Sequence, residues 1–426
     1  MSGPSFPKPA AAWTLTLLLT LSYIVSFIDR QLLGLLVTPI KADLGISDLK
    51  MGLLLGLAFS LFYVTLGVPI GWLADRVNRR NIVIAGIALW CVMTAACGLA
   101  KSYAQLFLAR VGVGVGEATL SPCALSLISD SFPPERRARA IGVYSIGVSV
   151  GGGLAYLLGG ALVQAVADAP PIDWPLLGQI RPWQSAFIVI GLAGLVVAVL
   201  LTMVPEPARH ERADGKGGYS LAETLAHMGR HRRDFISVAA AIACQLSFGY
   251  STVWMVALFQ RQWQWSIGEA GFAIGILFLT LGPIGSIGGG WICDRLAARG
   301  LDRAAQRAAA AGLTLACPAC ILFPIMPSPA WSLALLAPYI LGTACSSASA
   351  AVAIVTLSPN NMRAQANAIY HLATGITGLI IGPASVGFFS QMYGDGGLGP
   401  ALTTVAVLFG IPAPLILWWN LRTCTP

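Results

Sequence analysis

Apolar residues arrive along this chain in long blocks separated by short polar stretches, and twelve blocks are long enough to cross a bilayer. They cover approximately 13–36, 50–73, 82–100, 104–127, 139–167, 183–204, 234–260, 268–292, 305–325, 330–356, 363–390 and 398–420. At about 1.5 Å of helix rise per residue, ~20 apolar residues bridge ~30 Å of hydrocarbon, and a helix satisfies its own backbone there. The pattern therefore predicts an all-α polytopic membrane protein of twelve transmembrane helices. One long polar interruption, 205–233, follows the sixth block. It divides the chain into a six-helix bundle at 1–204, a linker at 205–233 and a second six-helix bundle at 234–426. Within the linker, Ser220-Leu-Ala-Glu223 has capping-box spacing, and Leu221, Leu225 and Met228 give a short helix one apolar face. Such a basic amphipathic helix is expected at the cytoplasmic membrane surface.

The apolar blocks carry few charges, and those few are grouped. The first block holds adjacent opposite charges, Asp29 and Arg30. An ionised side chain inside a bilayer costs several kcal/mol unless it faces a polar interior. Neighbouring helix positions point ~100° apart, so at least one of the two must find its partner on another helix. The fourth block supplies Arg110 and Glu117, seven residues apart. That spacing puts them on one helix face, about 10.5 Å apart along the axis. Gly112, Gly114 and Gly116 lie between them and admit close packing of a neighbouring helix. Two acids and two bases can neutralise one another as a structural cluster. They can equally form a proton relay with an anion site, since a carboxylate losing its arginine in apolar surroundings takes up a proton more readily. On the second reading Asp29 and Glu117 are the proton-responsive acids. Arg30, Arg110 and Glu117 then handle substrate, with Arg110 chiefly organising the cluster.

The second half differs. The middles of its six helices carry no Asp, Glu, Lys or Arg in this assignment. Its polar features are Gln245 and the pair Asn367 and His371, one turn apart and candidate substrate contacts; the alternative for His371 is a hydrogen-bonded packing role. Gly378, Gly382-Pro383 and Gly387 mark a bend and close helix contact. A charged wall facing an apolar one suits an amphiphile better than a sugar, which would want several converging Asn, Gln and Trp groups.

Composition agrees with the membrane assignment: 56% of the 426 residues are hydrophobic and 10% charged, against about 25% charged in soluble domains. Mean hydropathy is +0.74. The net charge of +8 comes from short loops rather than a continuous basic face, which argues against a nucleic-acid partner. With the N-terminus in the cytoplasm, 19 of the 26 Lys and Arg fall on the cytoplasmic side, so both termini are expected there, in a bacterial-type inner membrane. The first block is too long for a cleaved signal peptide and lacks a small-residue cleavage site. Most cysteines lie inside apolar blocks, where a thiol packs as a small apolar group; Cys317-Pro-Ala-Cys320 has redox spacing without a redox context. Three of the four histidines (His210, His227, His231) sit in the linker, so no metal cluster or nucleophile–base pair is evident. The expectation is no enzyme and no cofactor.

The halves also repeat. Gly71-Trp-Leu-Ala-Asp75-Arg76 after the second block returns as Gly290-Trp-Ile-Cys-Asp294-Arg295 after the eighth, and Arg137-Ala-Arg-Ala140 returns as Arg363-Ala-Gln-Ala366. Related bundles of this kind support alternating access. The run Gly71-Trp-Leu-Ala-Asp75-Arg76-Val-Asn-Arg79-Arg80 resembles the signature loop of the major facilitator superfamily nearly completely, and the likeness extends over the whole chain. The N-terminal half is most similar to the Spinster family of sphingolipid and lysophospholipid transporters. Phe27-Ile-Asp29-Arg30, the run from Arg110 to Glu117-Ala118, and Ser129-Asp130-Ser-Phe132 carry that likeness.

The resemblance implies the major facilitator fold and proton-linked roles for Asp29, Arg30 and Glu117. It also implies a gate formed by Asp75, Arg76, Arg79 and Arg80, with Asp130 as the candidate acid for Arg79 and Arg80. Asp294 and Arg295 would be its degraded copy. The Pro of the superfamily's antiporter-associated motif is missing from helix five, so no motif implies antiport. The expectation is a monomeric, proton-driven secondary transporter for lysolipid- or sphingolipid-like amphiphiles. A small organic-anion carrier, using Arg30 and Arg110 as carboxylate clamps, and a non-transporting sensor are the alternatives. The expected partners are a small amphiphilic or anionic substrate and the lipid bilayer.

Overall fold

The computed structural model describes residues 6–74, 76–167, 172–174, 178–209, 221–359 and 362–423. In chain order the first helices are α1 (Pro9–Leu35), α2 (Val37–Leu44), α3 (Asp48–Leu55), α4 (Leu57–Ala74), α5 (Arg79–Cys97) and α6 (Tyr103–Glu117). Then come α7 (Leu120–Ser131), α8 (Pro134–Ala167), α9 (Pro182–Thr202), α10 (Leu221–Arg230), α11 (Arg232–Tyr250) and α12 (Met255–Trp263). The last are α13 (Ile267–Ala298), α14 (Ala304–Leu322), α15 (Pro329–Leu357), α16 (Arg363–Tyr393), α17 (Leu398–Val405) and α18 (Pro412–Arg422). Twelve helical stretches are long and apolar enough to span a membrane, close to the bounds the hydropathy pattern predicts. Between α8 and α9 lies a short antiparallel ladder, β1 (Ile172–Trp174) with β2 (Gly178–Ile180), which no alternating pattern announces.

Several spans are interrupted where the sequence gives a physical reason. The fourth breaks between α6 and α7, directly after Glu117. Pro122 has no N–H for the Ala118 carbonyl and crowds the preceding turn. Just before it the Gly116 carbonyl accepts from both the Thr119 backbone N–H at 3.2 Å and the Thr119 hydroxyl at 2.8 Å. The second span breaks at Gly56, between α3 and α4. By contrast α16 runs continuously through Pro383, whose carbonyl accepts a hydrogen bond from the Trp254 indole at 3.1 Å. The close helix contact expected there is present, since a Cβ at Gly378 or Gly382 would press into Leu246 or Ser247 of α11.

The chain separates into two compact units. The first comprises Met1–Ile46, Leu57–Arg212 and Trp265–Ile276; the second comprises Ser47–Gly56, Ala213–Gln264 and Leu277–Pro426. In the first unit α1 lies along α8, α5 packs on α6 and α9, and α4 packs on α6. Its core is apolar, with Leu15, Leu19, Phe59, Ile87, Trp90 and Leu127 fully or almost fully buried. In the second unit α14 pairs with α15, and α16 packs on α11 and α3. The short linker helix α10 is held there by Thr224, whose hydroxyl donates to Gln365 Oε1 at 2.5 Å, and by His227, 3.0 Å from the Leu357 carbonyl. Ser220 of the expected capping box lies outside the described residues.

Close approach around α6 depends on glycine. A Cβ at Gly114 would press into the Phe59 carbonyl oxygen, and one at Gly116 would lie 2.7 Å from the Gly86 carbonyl oxygen. Backbone cannot move aside cheaply. A Cβ at Gly112 would instead meet only side-chain atoms of the flexible Met93, Cγ at 2.5 Å and Sδ at 2.6 Å. Gly114→Ala is thus expected to destabilise the protein by on the order of 1–3 kcal/mol through overpacking, whereas Gly112→Ala should be close to neutral. Thermal unfolding of the purified variants in detergent checks this. Equal midpoints for the two variants would contradict the packing argument.

Candidate functional site

In the first unit the four intramembrane charges meet as two crossed ion pairs. Adjacent positions on α1 point in different directions, and α6 carries its two charges two turns apart, so each α1 charge reaches a different level of α6. Arg110 Nη1 donates to Asp29 Oδ1 at 3.4 Å. Arg30 Nε donates to Glu117 Oε2 at 2.6 Å. Each carboxylate also accepts from a hydroxyl. Thr94 Oγ1 on α5 donates to Asp29 Oδ2 at 2.5 Å, and Ser26 Oγ, one turn before Arg30 on α1, donates to Glu117 Oε2 at 2.5 Å.

Burial distinguishes the members. Asp29, Arg110 and Glu117 are all but inaccessible, while the Arg30 side chain keeps 14% of its surface exposed. The site is also incompletely bonded: Glu117 Oε1 and Arg110 Nε are buried without a hydrogen-bond partner. An unsatisfied buried polar atom costs roughly 1–3 kcal/mol, more on a charged group, so the cluster retains unused bonding capacity in this arrangement. Arg30 is further enclosed by rings, its guanidinium carbon lying 4.2 Å from the Tyr63 centroid, 4.7 Å from Phe59 and 5.3 Å from Phe27. Phe59 also faces Arg110 at 5.6 Å, so one ring serves both guanidinium groups. Such contacts favour a cation where water is scarce. Tyr23 stacks on Tyr144 beside Phe27, extending the aromatic wall. The arrangement therefore holds two ion pairs and leaves one guanidinium partly exposed beside aromatic surface.

A second charged cluster occupies the ends of α5 and α7. Arg79 is buried and pairs with Asp130, as the motif implies. It also donates to Glu206 Oε1 through Nε at 3.0 Å and its backbone N–H at 3.2 Å, to Ser126 at 2.9 Å and to the Pro207 carbonyl at 3.3 Å. Arg80 differs from the expectation. Its Nη1 donates to the Val204 carbonyl at 2.9 Å instead of to Asp130, because the side chain points toward the end of α9. Arg76 lies over the Trp72 ring at 3.4 Å, and Asp75 lies outside the described residues. Arg209 donates to the Ala74 and Val77 carbonyls, both at 2.7 Å. The start of the linker is therefore strapped onto the signature loop within this unit.

In the second unit Arg295 lies 5.1 Å over Trp291, the same pairing of residues as Trp72 with Arg76 at a longer distance, and Asp294 is exposed. The position equivalent to Arg79 is Ala298, so the copy has no buried arginine core. Asn367 is half-buried on α16; His371, where a packing role was an expected alternative, is exposed with its ring edge-on to Tyr370. Gln245 is buried and clamps α11 to α15 through the Thr343 carbonyl at 3.0 Å and Ser347 Oγ at 2.7 Å. Asp48 makes a two-pronged ion pair with Arg261, both contacts 2.9 Å, and accepts from Ser390 at 2.7 Å. Sequence reasoning missed Ser26, Thr94, Glu206, Arg209 and the Asp48–Arg261 pair. Glu206 carried the one available signal, an acid directly after the sixth span among many arginines.

A twelve-span helical fold with a buried charge cluster in its first unit is that of a membrane transporter. Residues 19–383 match the model of the Major Facilitator Superfamily, and the chain belongs to that family. It is 28% identical over 423 residues to an MFS-type efflux pump of Mycolicibacterium smegmatis, covering 96% of this chain and 92% of the pump. It is 24% identical over 425 residues to a D-galactonate transporter of Escherichia coli, covering 94% of each chain. To the sphingosine-1-phosphate transporter of Mus musculus it is 27% identical over 252 residues, 57% of this chain and 43% of that one. Among solved structures, a bacterial homologue of the human lysosomal transporter Spinster, inward-facing and unoccupied, superimposes with a TM-score of 0.84 at 27% identity, covering 98% of both chains. The Spinster likeness read from Asp29-Arg30 and the α6 run thus extends to the whole fold.

Arg110→Ala would leave Asp29 buried without its countercharge, and is expected to lower stability by about 3–5 kcal/mol. Adding Asp29→Asn should recover part of the loss. Thermal unfolding of the two variants beside the unaltered protein checks this. An Arg110→Ala midpoint matching that of the unaltered protein would show that the pair does not hold α1 to α6.

Proposed function

We propose that this protein is a proton-coupled secondary transporter of anionic amphiphiles, lysophospholipid- or sphingolipid-like, working by alternating access. The observation that carries the reading is the asymmetry of the Arg30–Glu117 pair. The cation is partly exposed and bordered by Phe27, Phe59 and Tyr63, while the acid is buried with one carboxylate oxygen unpartnered. A proton taken up on Glu117 Oε1 removes the negative charge opposite Arg30 and leaves the guanidinium to an incoming phosphate or carboxylate. The aromatic wall suits the start of an acyl chain. Loss of that proton restores the Arg30–Glu117 pair and expels the substrate's anionic group. Asp29 is the second acid of the relay, held by Arg110 and Thr94. The Arg79–Asp130–Glu206 cluster acts as the gate that opens and closes in each cycle. The sphingosine-1-phosphate transporter and the Spinster homologue among the relatives support the amphiphile class, and the distribution of basic residues supports cytoplasmic termini.

A second reading, a carrier of small carboxylates clamped by Arg30 and Arg110, is favoured by the D-galactonate relative. It sits less well with the aromatic enclosure of Arg30 and the near-complete burial of Arg110.

Reconstituted protein should take up or release a labelled lysophosphatidylglycerol in response to an imposed pH gradient. Glu117→Gln should bind the lysolipid yet lose the response to the gradient, with flux down by roughly 10²-fold or more, in the range typical of lost proton-transfer groups. Unaltered pH-driven flux in Glu117→Gln would remove the coupling claim. Strong competition by D-galactonate with none by other lysolipids would select the carboxylate carrier.

A further inference from the structure

A cleft of about 370 Å³ in the first unit opens where three helices end together, about 24 Å along α1 from Asp29 at 1.5 Å of rise per residue. It is lined by Phe6, just before α1, by Trp13 on the first turns of α1, by Phe132 and Pro133 after α7, and by Arg136 and Arg139 on the first turns of α8. Trp13 and Phe132 meet edge to face, with ring centroids 5.1 Å apart. Arg139 lies 5.9 Å from the Trp13 ring centroid. Both arginines are exposed, and among the described residues neither is paired with a carboxylate; Glu135, also on the first turn of α8, is exposed and pairs with neither.

The helical stretches apolar enough to span a membrane begin at Pro9, end at Ser131 and begin again at Glu135, so the cleft lies where three such stretches terminate. Aromatic side chains concentrate at that level and basic ones attract anionic lipid there. Sequence alone would let Arg136 and Arg139 do no more than bias orientation. In the folded chain they share a concave, part-aromatic site instead. A phosphodiester is the anion that a lipid presents at this depth. Two guanidinium groups one helical turn apart can grip its oxygens, with the glycerol and upper acyl carbons against Trp13 and Phe132.

From this geometry we infer that the cleft is a binding site for the phosphate headgroup of an anionic phospholipid of the surrounding leaflet, separate from the transport site. The lipid wedges the ends of α1, α7 and α8 together. It is a resident of the protein rather than its cargo.

The test is native mass spectrometry of the intact protein released from micelles containing phosphatidylglycerol or phosphatidylcholine. The unaltered chain should retain phosphatidylglycerol selectively. The double variant Arg136→Gln/Arg139→Gln should weaken that retention by roughly tenfold or more, given two lost cation contacts. A control removing two basic residues elsewhere, Arg299→Gln/Arg422→Gln, should leave it unchanged. Soluble glycerol 3-phosphate at equal concentration should not displace the lipid. Retention unaffected by the double variant, equal loss in the control, or ready displacement by glycerol 3-phosphate would each overturn the inference. Should the double variant fail to fold, the unaltered protein treated with a photoactivatable phosphatidylglycerol decides the matter. Cross-links are expected in 6–13 and 132–139, and their absence from both segments would overturn the inference.

Discussion

The charge-charge contact between α1 and α6 is the constraint around which the first unit is arranged. Four ionised groups inside a bilayer are tolerable only when each is matched, and here the matching is crossed: Asp29 with Arg110, Arg30 with Glu117. Neither helix could rotate or slide without separating one pair. The glycines of α6 follow from the same requirement. Gly114 and Gly116 let the Phe59 carbonyl and the backbone of α5 come close enough for the polar groups to be enclosed and water excluded.

The pairs are unequal, and that inequality separates a site from a strut. Asp29 and Arg110 are shut in from all sides, and Thr94 adds a hydrogen bond to the carboxylate. Arg30 reaches a partly open position beneath three rings, while its acid keeps an oxygen in reserve. One pair is enclosed on every side, while the other keeps an exposed edge and an unbonded oxygen. The Arg79 cluster has a comparable design at the end of the same unit, with one buried guanidinium divided between Asp130, Glu206 and neighbouring oxygens. Interactions shared among several acceptors at a helix end can be remade one at a time, which suits a gate better than a single strong pair.

How much of this was legible follows from how each residue signals itself. A charge inside an apolar block stands out, so Asp29, Arg30, Arg110 and Glu117 declared themselves, and the Gly71–Arg80 loop did so by its pattern. Which acid meets which base depends on helix rotation and depth, which spacing along one helix leaves open. Hydroxyls are harder still. On α1, Thr16, Thr20 and Ser22 all donate to carbonyls one turn earlier, the ordinary behaviour of such residues in helices, whereas Ser26 donates to Glu117. Nothing in the sequence separates Ser26 from the others. The same holds for Asp48: its place at the start of α3 reads as a helix-end residue until the fold brings Arg261 and Ser390 to it. Arg80 was misjudged because adjacent arginines look alike in sequence, and only the direction of α5 decides which one turns inward.

The central claim is that the proton and the substrate compete for the Arg30–Glu117 pair. Infrared difference spectroscopy of the protein in membranes measures this directly, by following the carboxyl stretch of a protonated acid as lysophosphatidylglycerol is added. The account predicts that ligand addition produces a protonated-carboxyl band that shifts with isotopic labelling of Glu and is missing from Glu117→Gln. A ligand-induced spectrum without such a band, or with the same band in Glu117→Gln, would contradict it.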